Sequence, residues 1–487
     1  MMTDNTDYDF SALPDVVWVD VLIRLSLGER LRLALVCRRL NDAFNHPSVW
    51  RSVDVNLIGT LPPGQARDRT PPPWQAHARR PEPRTGVVAP DRYVAMIRRF
   101  GAYFQDVRLT VRGEVCELED SCREVLEQLA LCRLESLTLK VGEGTVQRKK
   151  PTPEAADALL ALVKQARRLR SLDIRAWPLS DTDSSSCDII ACLRDNEKLR
   201  RLERLSLFCR EPDEDSWVPL TTCLPTSEYV VGLVGHLVAL TSLFIHSTLL
   251  TTKLVDVLCQ PRRAALSRLG VMVVYRRRFA VGYDANFPEI QDSTWKRLRE
   301  SNPALGVELT FCNTIPSYEL MSLLSAELPL TSVVFMKYSN FKPDVLTCLA
   351  ANYHRTLAKF ADYGDTNSGK EDELNSMVSR CTCLCSLSYH SDIRPSTVLD
   401  LAAVRGSSWS RFEVNVRWTL DHGHGDDVLY LQPGTGNYAI AAHLPGSMFY
   451  HDAASDQQLE ALYQSVCEQV SDFVGYKWQP LNKPSFN

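Results

Sequence analysis

One short pattern, L-x-x-L-x-L, constrains this chain more than any other feature, because it recurs. It reads Leu134-Leu137-Leu139, Leu169-Leu172-Ile174, Leu202-Leu205-Leu207, Leu240-Leu243-Ile245 and Leu266-Leu269-Val271. Looser copies follow as Leu305-Val307-Leu309, Leu330-Val333-Phe335, Leu357-Phe360, Leu384-Leu387-Tyr389 and Trp409-Phe412-Val414, and Phe104-Val107-Leu109 is expected to open the series. Successive copies start about 25 to 40 residues apart, which leaves room for one helix between them. Such helices are read over 153–168, 320–328 and 342–353. Side chains alternate along a strand, so the spaced leucines share one face and the residues between them share the other. One strand and one helix cannot bury that leucine face alone, whereas stacked neighbours can. The expected product is an α/β array over 91–420, with parallel strands inside and covering helices outside.

The residues between the leucines form the candidate binding face. They include Lys140, Asp173 and Arg175, then Arg204, Ser206 and Phe208, then Phe244 and His246. Met336, Lys359 and Tyr363, Ser386 and His390, and Arg411, Glu413 and Asn415 continue the series. Asp173, Arg175, Phe208, Phe244, His246, Tyr363, His390 and Glu413 are the target-binding candidates. Polar groups mixed with aromatics suit a protein surface or a peptide, although a solvated sheet face has the same composition. The acidic insertion Glu211 to Trp217 adds either a contact for a basic target or an ordinary solvated loop. From Asp421 onward the pattern stops, and 421–487 is expected to cap the array, with an amphipathic helix over 457–474.

Ahead of the repeats lies a helical stretch. Leu13-Pro14-Asp15 opens a helix, since proline is tolerated in a first turn and aspartate favours the dipole there. Val17, Val21, Leu22 and Leu25 follow as an apolar stripe that Gly28 is expected to end. Leu31, Leu35 and Val36 mark a second helix, and Leu40 and Phe44 a third, closed by Asn45-His46-Pro47 before Trp50. About 40 residues offer little core, so such a module commonly needs a partner. The stretch 57–90 then carries eight prolines among arginines, and prolines remove backbone donors while like charges repel. It reads as a linker or loop, with Thr70-Pro71 as a possible phosphorylation site and a basic arm for nucleic acid as the sharper alternative.

Leu13-Pro14-Asp15, Val21-Leu22, Leu25, the run Leu31-Arg32-Leu33-Ala34-Leu35-Val36-Cys37-Arg38-Arg39 and Pro47-Ser48-Val49-Trp50-Arg51 resemble the F-box in order and spacing. The repeats resemble the leucine-rich-repeat domains of F-box proteins, although no asparagine or cysteine regularly follows the strands. The resemblance places an F-box over 11–56. It implies docking to a Skp-family adaptor, and through it to cullin and RING subunits, with Leu13, Pro14, Val17, Val21, Leu22, Leu35, Val36, Cys37 and Trp50 at adaptor-facing or core positions. Val16 replaces a usual glutamate and Leu40 a common tryptophan. The implied role is substrate receptor of a ubiquitin ligase for an unknown protein target. The alternative is a non-degradative scaffold using the same contact.

The remaining features narrow the class. A net charge of −4 over 487 residues implies no broad field for nucleic acid or membrane. The apolar stretch 229–250 could span a bilayer by length, but it divides into a helix over 230–237 and a strand over 240–245. The first ten residues lack a signal peptide's basic and apolar regions, and fifteen cysteines read as reduced, mostly buried thiols, so the cytoplasm or nucleus is expected. Cys381, Cys383 and Cys385 with His390, and His422 through Asp427, admit a metal, but each also fits a structural reading as small core residues or a polar turn. Phosphate-loop, nucleophile-elbow, dinucleotide and zinc-protease motifs are missing, and there is no C-x-x-C pair. No cofactor and no catalytic role are expected.

Overall fold

A computed structural model of the chain describes residues 13–58, 89–112, 120–143, 153–176, 189–207, 225–274, 290–312, 317–337, 339–364, 370–416 and 453–481. The chain forms two compact units, the first chiefly up to Phe244 and the second chiefly from Ala265 onward.

The first unit opens with α1 (Asp15–Arg24), α2 (Leu27–Ala34) and α3 (Arg38–Phe44), followed by a 3-10 turn over Pro47–Trp50. Gly28 does not end the first helix as its sequence position predicts. α1 stops at Arg24, and Gly28 sits in the first turn of α2, because Ser26 and Glu29 form a reciprocal capping box that fixes the start there. Six parallel strands follow in chain order: β1 (Ser52–Ile58), β2 (Asp106–Arg112), β3 (Ser136–Glu143), β4 (Ser171–Ala176), β5 (Arg204–Leu207) and β6 (Ser242–His246). Between them run α4 (Pro90–Phe100), α5 (Asp120–Ala130), α6 (Pro153–Gln165), α7 (Ile189–Asp195) and α8 (Ser227–His236), each packed on the next.

Register lines up Val53, Val107, Leu137, Leu172, Leu205 and Leu243, all buried, and beside them Val55, Leu109, Leu139, Ile174 and Leu207. One carbonyl per copy sets this register. Arg51 C=O accepts the N–H groups of Gln105 and Asp106, Gln105 C=O those of Glu135 and Ser136, and Glu135 C=O those of Arg170 and Ser171. Arg170 C=O and Glu203 C=O continue the series, with donor–acceptor distances of 2.8 to 3.0 Å.

The array therefore starts one copy earlier than the leucine pattern predicts, at Trp50-Val53-Val55. β1 ends at Ile58, so the stretch read as a linker from 57 is an insertion between β1 and α4; its residues 59–88, with Thr70-Pro71, lie outside the described residues. Tyr93, buried, protects the edge of β1 by accepting the Asn56 N–H on its hydroxyl at 3.1 Å.

A buried guanidinium joins the helical module to this first strand. Arg30 donates to the carbonyls of Ile23 and Leu25 at the end of α1 and to those of Val49 and Ser52 beyond α3, at 2.7 to 3.1 Å. Burial lowers its pKa, with Asp54 opposing, but an arginine stays charged over any ordinary pH.

In the second unit the parallel strands are β7 (Arg268–Val274), β8 (Gly306–Cys312), β9 (Leu330–Phe335), β10 (Lys359–Asp362), β11 (Ser386–Ile393) and β12 (Arg411–Val416). Their helices are α10 (Asp292–Ser301), α11 (Ser317–Leu323), α12 (Pro343–Asn352), α13 (Glu371–Arg380), α14 (Pro395–Arg405) and α15 (Ala453–Val474); in the chain α9 (Thr252–Leu258) falls between β6 and β7. α11 ends five residues short of its expected limit at 328, while α12 and α15 match theirs closely. Burial alternates cleanly in β5, β8 and β12. In β7, β9, β10 and β11 both faces are largely covered, so Met336, expected on the open face, is buried. The apolar stretch 229–250 divides between α8 and β6, and among the described residues no helix is long and apolar enough to cross a membrane.

α15 packs on α14, and Gly475, with φ +76°, turns the chain back across the sheet edge. There the indole of Trp478 donates to Phe412 C=O at 2.8 Å, and Leu481 N–H donates to Val414 C=O at 3.0 Å. The carbonyls of an otherwise open edge strand are thereby covered. Residues 417–452, including His422 to Asp427, lie outside the described residues.

Two side chains test these joints. Replacing Arg30 with Met leaves four carbonyls, that of Val49 buried, without their donor, at a cost of about 3 kcal/mol; amide hydrogen exchange should speed up across residues 15–50 and stay as in the parent across β4 and β5. Glu371 Oε2 accepts Arg394 N–H and Nε–H and the Thr397 hydroxyl, at 2.8 to 3.2 Å, tying α13 to the first turn of α14. Burial alone would raise its pKa, but these hydrogen bonds outweigh burial and hold the carboxyl below its ordinary value. Its contribution is therefore complete above the ordinary glutamate pKa and disappears as pH falls through the lowered one. Glu371→Gln should cost about 1–3 kcal/mol at neutral pH, and the gap between the melts of parent and variant should close in acid.

Candidate docking surfaces

The helical module sorts its apolar residues into two sets. Leu22 and Trp50 are fully buried, and Leu27, Ala34, Leu40, Phe44 and Val49 join them. Trp50 stacks on Phe100 with centroids 4.1 Å apart and planes 6° apart, meets Phe44 edge-on at 4.7 Å, and donates its indole N–H to Phe44 C=O at 2.7 Å. It also faces Phe104 at 6.4 Å. Leu22 and Trp50 thus take the core alternative of the adaptor-facing or core positions expected for them, and hold the module together. The ring of Trp50 is consumed by the first repeat, where it takes the first position of the L-x-x-L-x-L pattern.

The second set faces solvent. Leu35 is 86% exposed, Val16 72% and Val36 68%. α2 ends at Ala34, one residue before the expected Leu35, so Leu35, Val36 and Cys37 form an exposed turn rather than a helix face. Pro14 and Val21 are exposed, and Leu13 and Val17 half-buried. An Arg39–Asp15 ion pair of 2.7 Å brings the start of α3 to the start of α1. The Leu35-Val36-Cys37 turn and the Leu13-Pro14 entry therefore lie at the same end of the module. Of the two departures from the F-box pattern, Leu40 lies in the core and Val16 enlarges the exposed apolar surface. Exposed apolar side chains gathered at one end of so small a module make that end a candidate interface. Arg30, which sets the module's geometry, carries no sequence signal, because a buried arginine and a solvated one look alike in the chain.

The sheet-face candidates also separate. In the first unit Asp173 and Arg175 form a half-buried ion pair at 2.8 Å along β4, and Phe244 is half-buried on β6. His246 does not belong to the face. It is 1% exposed, and its Nδ1 accepts Thr248 N–H and meets the Thr248 hydroxyl at 2.9 Å, closing the 3-10 turn over Ser247–Leu249. Phe208 and the insertion Glu211 to Trp217 lie outside the described residues.

In the second unit three candidates come together. Tyr363 and His390 meet with ring centroids 4.6 Å apart, and Glu413 lies on the adjoining strand. Glu413 accepts Arg411 at 2.7 Å and the Ser388 hydroxyl at 3.1 Å. The bond to Glu413 raises the pKa of Arg411, against burial, with Glu413 and Tyr363 adding to the rise. Further along the same face Arg268 pairs with Glu308 through two contacts, one at 2.8 Å.

The three thiols ahead of β11 differ in burial, Cys381 being buried, Cys385 half-buried and Cys383 exposed. Cys381 is buried and its pKa is pushed up to about 11 by burial, while Cys383 and Cys385 turn towards the separate carbonyls of Arg355 and Ala358. Burial likewise pushes Cys132 up to about 11. Among the described residues no group of three or more His, Cys, Asp or Glu side chains is gathered around a common point.

Residues 10–56 match the F-box-like family. Over 333 residues the chain is 23% identical to F-box/LRR-repeat protein 21 of Ovis aries, covering 67% of this chain and 65% of that one, and over 327 residues it is 22% identical to the Mus musculus protein with the same coverage. The chain thus matches just under two thirds of the length of these relatives. A leucine-rich repeat-containing protein of Legionella pneumophila, LegL7, aligns with a TM-score of 0.33 at 10% identity, over 72% of this chain and 87% of that one. The buried Trp50, the capped helices and the strands hung from successive carbonyls accordingly describe a chain with an N-terminal F-box-like domain followed by a leucine-rich-repeat-type array.

Proposed function

We propose that this chain is the substrate-recognition subunit of a Skp–cullin–F-box ubiquitin ligase. The observation that carries the reading is the solvent-facing turn Leu35-Val36-Cys37 beside Pro14 in an F-box-like domain. A Skp-family adaptor covers that turn together with Val17 and Val21, burying apolar surface that the module cannot bury itself. Cullin and RING subunits join through the adaptor and supply the transfer chemistry, so the chain itself is non-catalytic and needs no cofactor. The repeat array takes the protein target, and the work is done in the cytoplasm or nucleus. Similarity to proteins named for an F-box and leucine-rich repeats supports the same role.

The exposed and buried sets separate docking from folding. Leu35→Asp combined with Val36→Asp places charges in the proposed interface and leaves the core alone. Adaptor capture should fall at least about a hundredfold while the thermal melt stays at the parent value. Trp50→Ala empties the core at a cost of about 3–5 kcal/mol and should lower both. Undiminished adaptor capture by the double variant, or recovery of adaptor without cullin when cullin turnover is blocked, would overturn the ligase reading.

A further inference from the structure

Three neighbouring strands of the second unit present a patch with an unbalanced charge. The register sets Lys359 beside Ser386 and Ser386 beside Arg411, then Ala361 beside Ser388 and Ser388 beside Glu413. The residues between them, Phe360, Leu387 and Phe412, are buried in the core, so the aligned set occupies the opposite face. Ala361 and Ser388 in the middle of the set are buried, so the accessible part of the patch is made by the half-buried side chains around them. Tyr363 and His390, half-buried, stand as an aromatic wall at one end. Arg411 at the other end is matched by Glu413, and Arg268, three strands beyond Lys359, by Glu308.

Lys359 has no such match. It is half-buried, and among the described residues it forms no ion pair. Burial lowers its pKa, Glu308 opposes this, Arg411 and Arg268 add to the lowering, and Glu413 opposes again. The two carboxylates within electrostatic reach are each bound to an arginine. An ammonium drawn partly out of water without an anion is costly, and a carboxylate arriving from outside removes the cost.

We propose that this patch docks an acidic segment of a partner protein, placing an Asp or Glu carboxylate on Lys359 and a neighbouring apolar or aromatic side chain against Tyr363 and His390. The inference deepens the receptor reading above by giving the chemistry of its target, and it rests on that reading. Charge complementarity fixes the sign, and the Tyr363–His390 aromatic wall fixes the second requirement, since aromatic groups flanked by polar ones are the usual anchors of protein interfaces.

Selection of a displayed library of random peptides on the full-length chain tests the proposal, followed by affinity measurement on individual winners. The winners should carry Asp or Glu next to an apolar or aromatic residue. Lys359→Met keeps the aliphatic stem and removes the charge, and should weaken these winners at least about tenfold; Lys359→Glu should select basic residues at the same place. Lys359→Gln replaces the Met variant if that one melts early. Winners without acidic residues, acidic winners that bind Lys359→Met as tightly as the parent, or tighter retention of single-stranded DNA than of the peptides through Lys359 would each overturn it. Adaptor capture is read on the same variants and should be unchanged, because Lys359 lies outside the F-box-like domain. Loss of adaptor capture by the parent with peptide selection intact would sink the receptor reading alone and leave the acidic-segment site standing.

Discussion

The fold hangs on a backbone carbonyl that accepts two N–H groups from the following copy. Arg51, Gln105, Glu135, Arg170 and Glu203 supply it in the first unit, and Ala358 and Cys385 in the second. A carbonyl has two lone pairs, so both donors are satisfied without help from any side chain. That is why the position carries arginine, glutamine, glutamate, alanine or cysteine with no common residue. It also fixes the strand register, and a one-residue slip would turn every inward leucine outward. The array is thus specified jointly by apolar side chains, which choose the face, and by the main chain, which chooses the alignment.

A second device recurs where helices end. The last carbonyls of a helix lack intrahelical donors, and three arginines supply them from elsewhere in the chain. Arg30 reaches the end of α1, Arg263 donates to Val234 and Leu237 at the end of α8, and Arg405 donates to Val378 and Cys381 at the end of α13. Each guanidinium carries several donors in a fixed fork, matched to a set of carbonyls aimed roughly the same way. The exposed pairs Arg24–Asp20 and Arg194–Asp195 contribute far less, because water already satisfies both partners.

The sequence made legible those features that depend on which face a side chain occupies. The leucine spacing located β2 to β9, β11 and β12, and the shorter Leu357-Phe360 copy located β10. The break in 229–250 separated α8 from β6, and the amphipathic run near the end located α15. Features that depend on what lies above a residue were not legible. Val53 and Val55 are obscured because valine stands where leucine is usual and Trp50 also fits the helical motif before it. His246 alternates like its neighbours, yet a backbone turn two residues later claims its ring. Leu35 and Val36 continue the apolar spacing of α2, but the helix stops before them and leaves them outside. Leu22 shares the stripe of Val21 and points the opposite way because α1 is packed on only one side.

Trp50 has a consequence for how the chain is made. It is at once the last buried residue of the helical module and the first of the repeat array, and its stacking partners, Phe100 and Phe104, come only after the long proline- and arginine-rich insertion. During synthesis the module emerges first but cannot complete its core until those phenylalanines have left the ribosome. Contacts so distant along the chain close slowly, and until they close, the ring of Trp50 lacks the cover that Phe100 and Phe104 provide. The core of the helical end is thus closed by the first repeat, and its folding waits on the synthesis of residues 100–104.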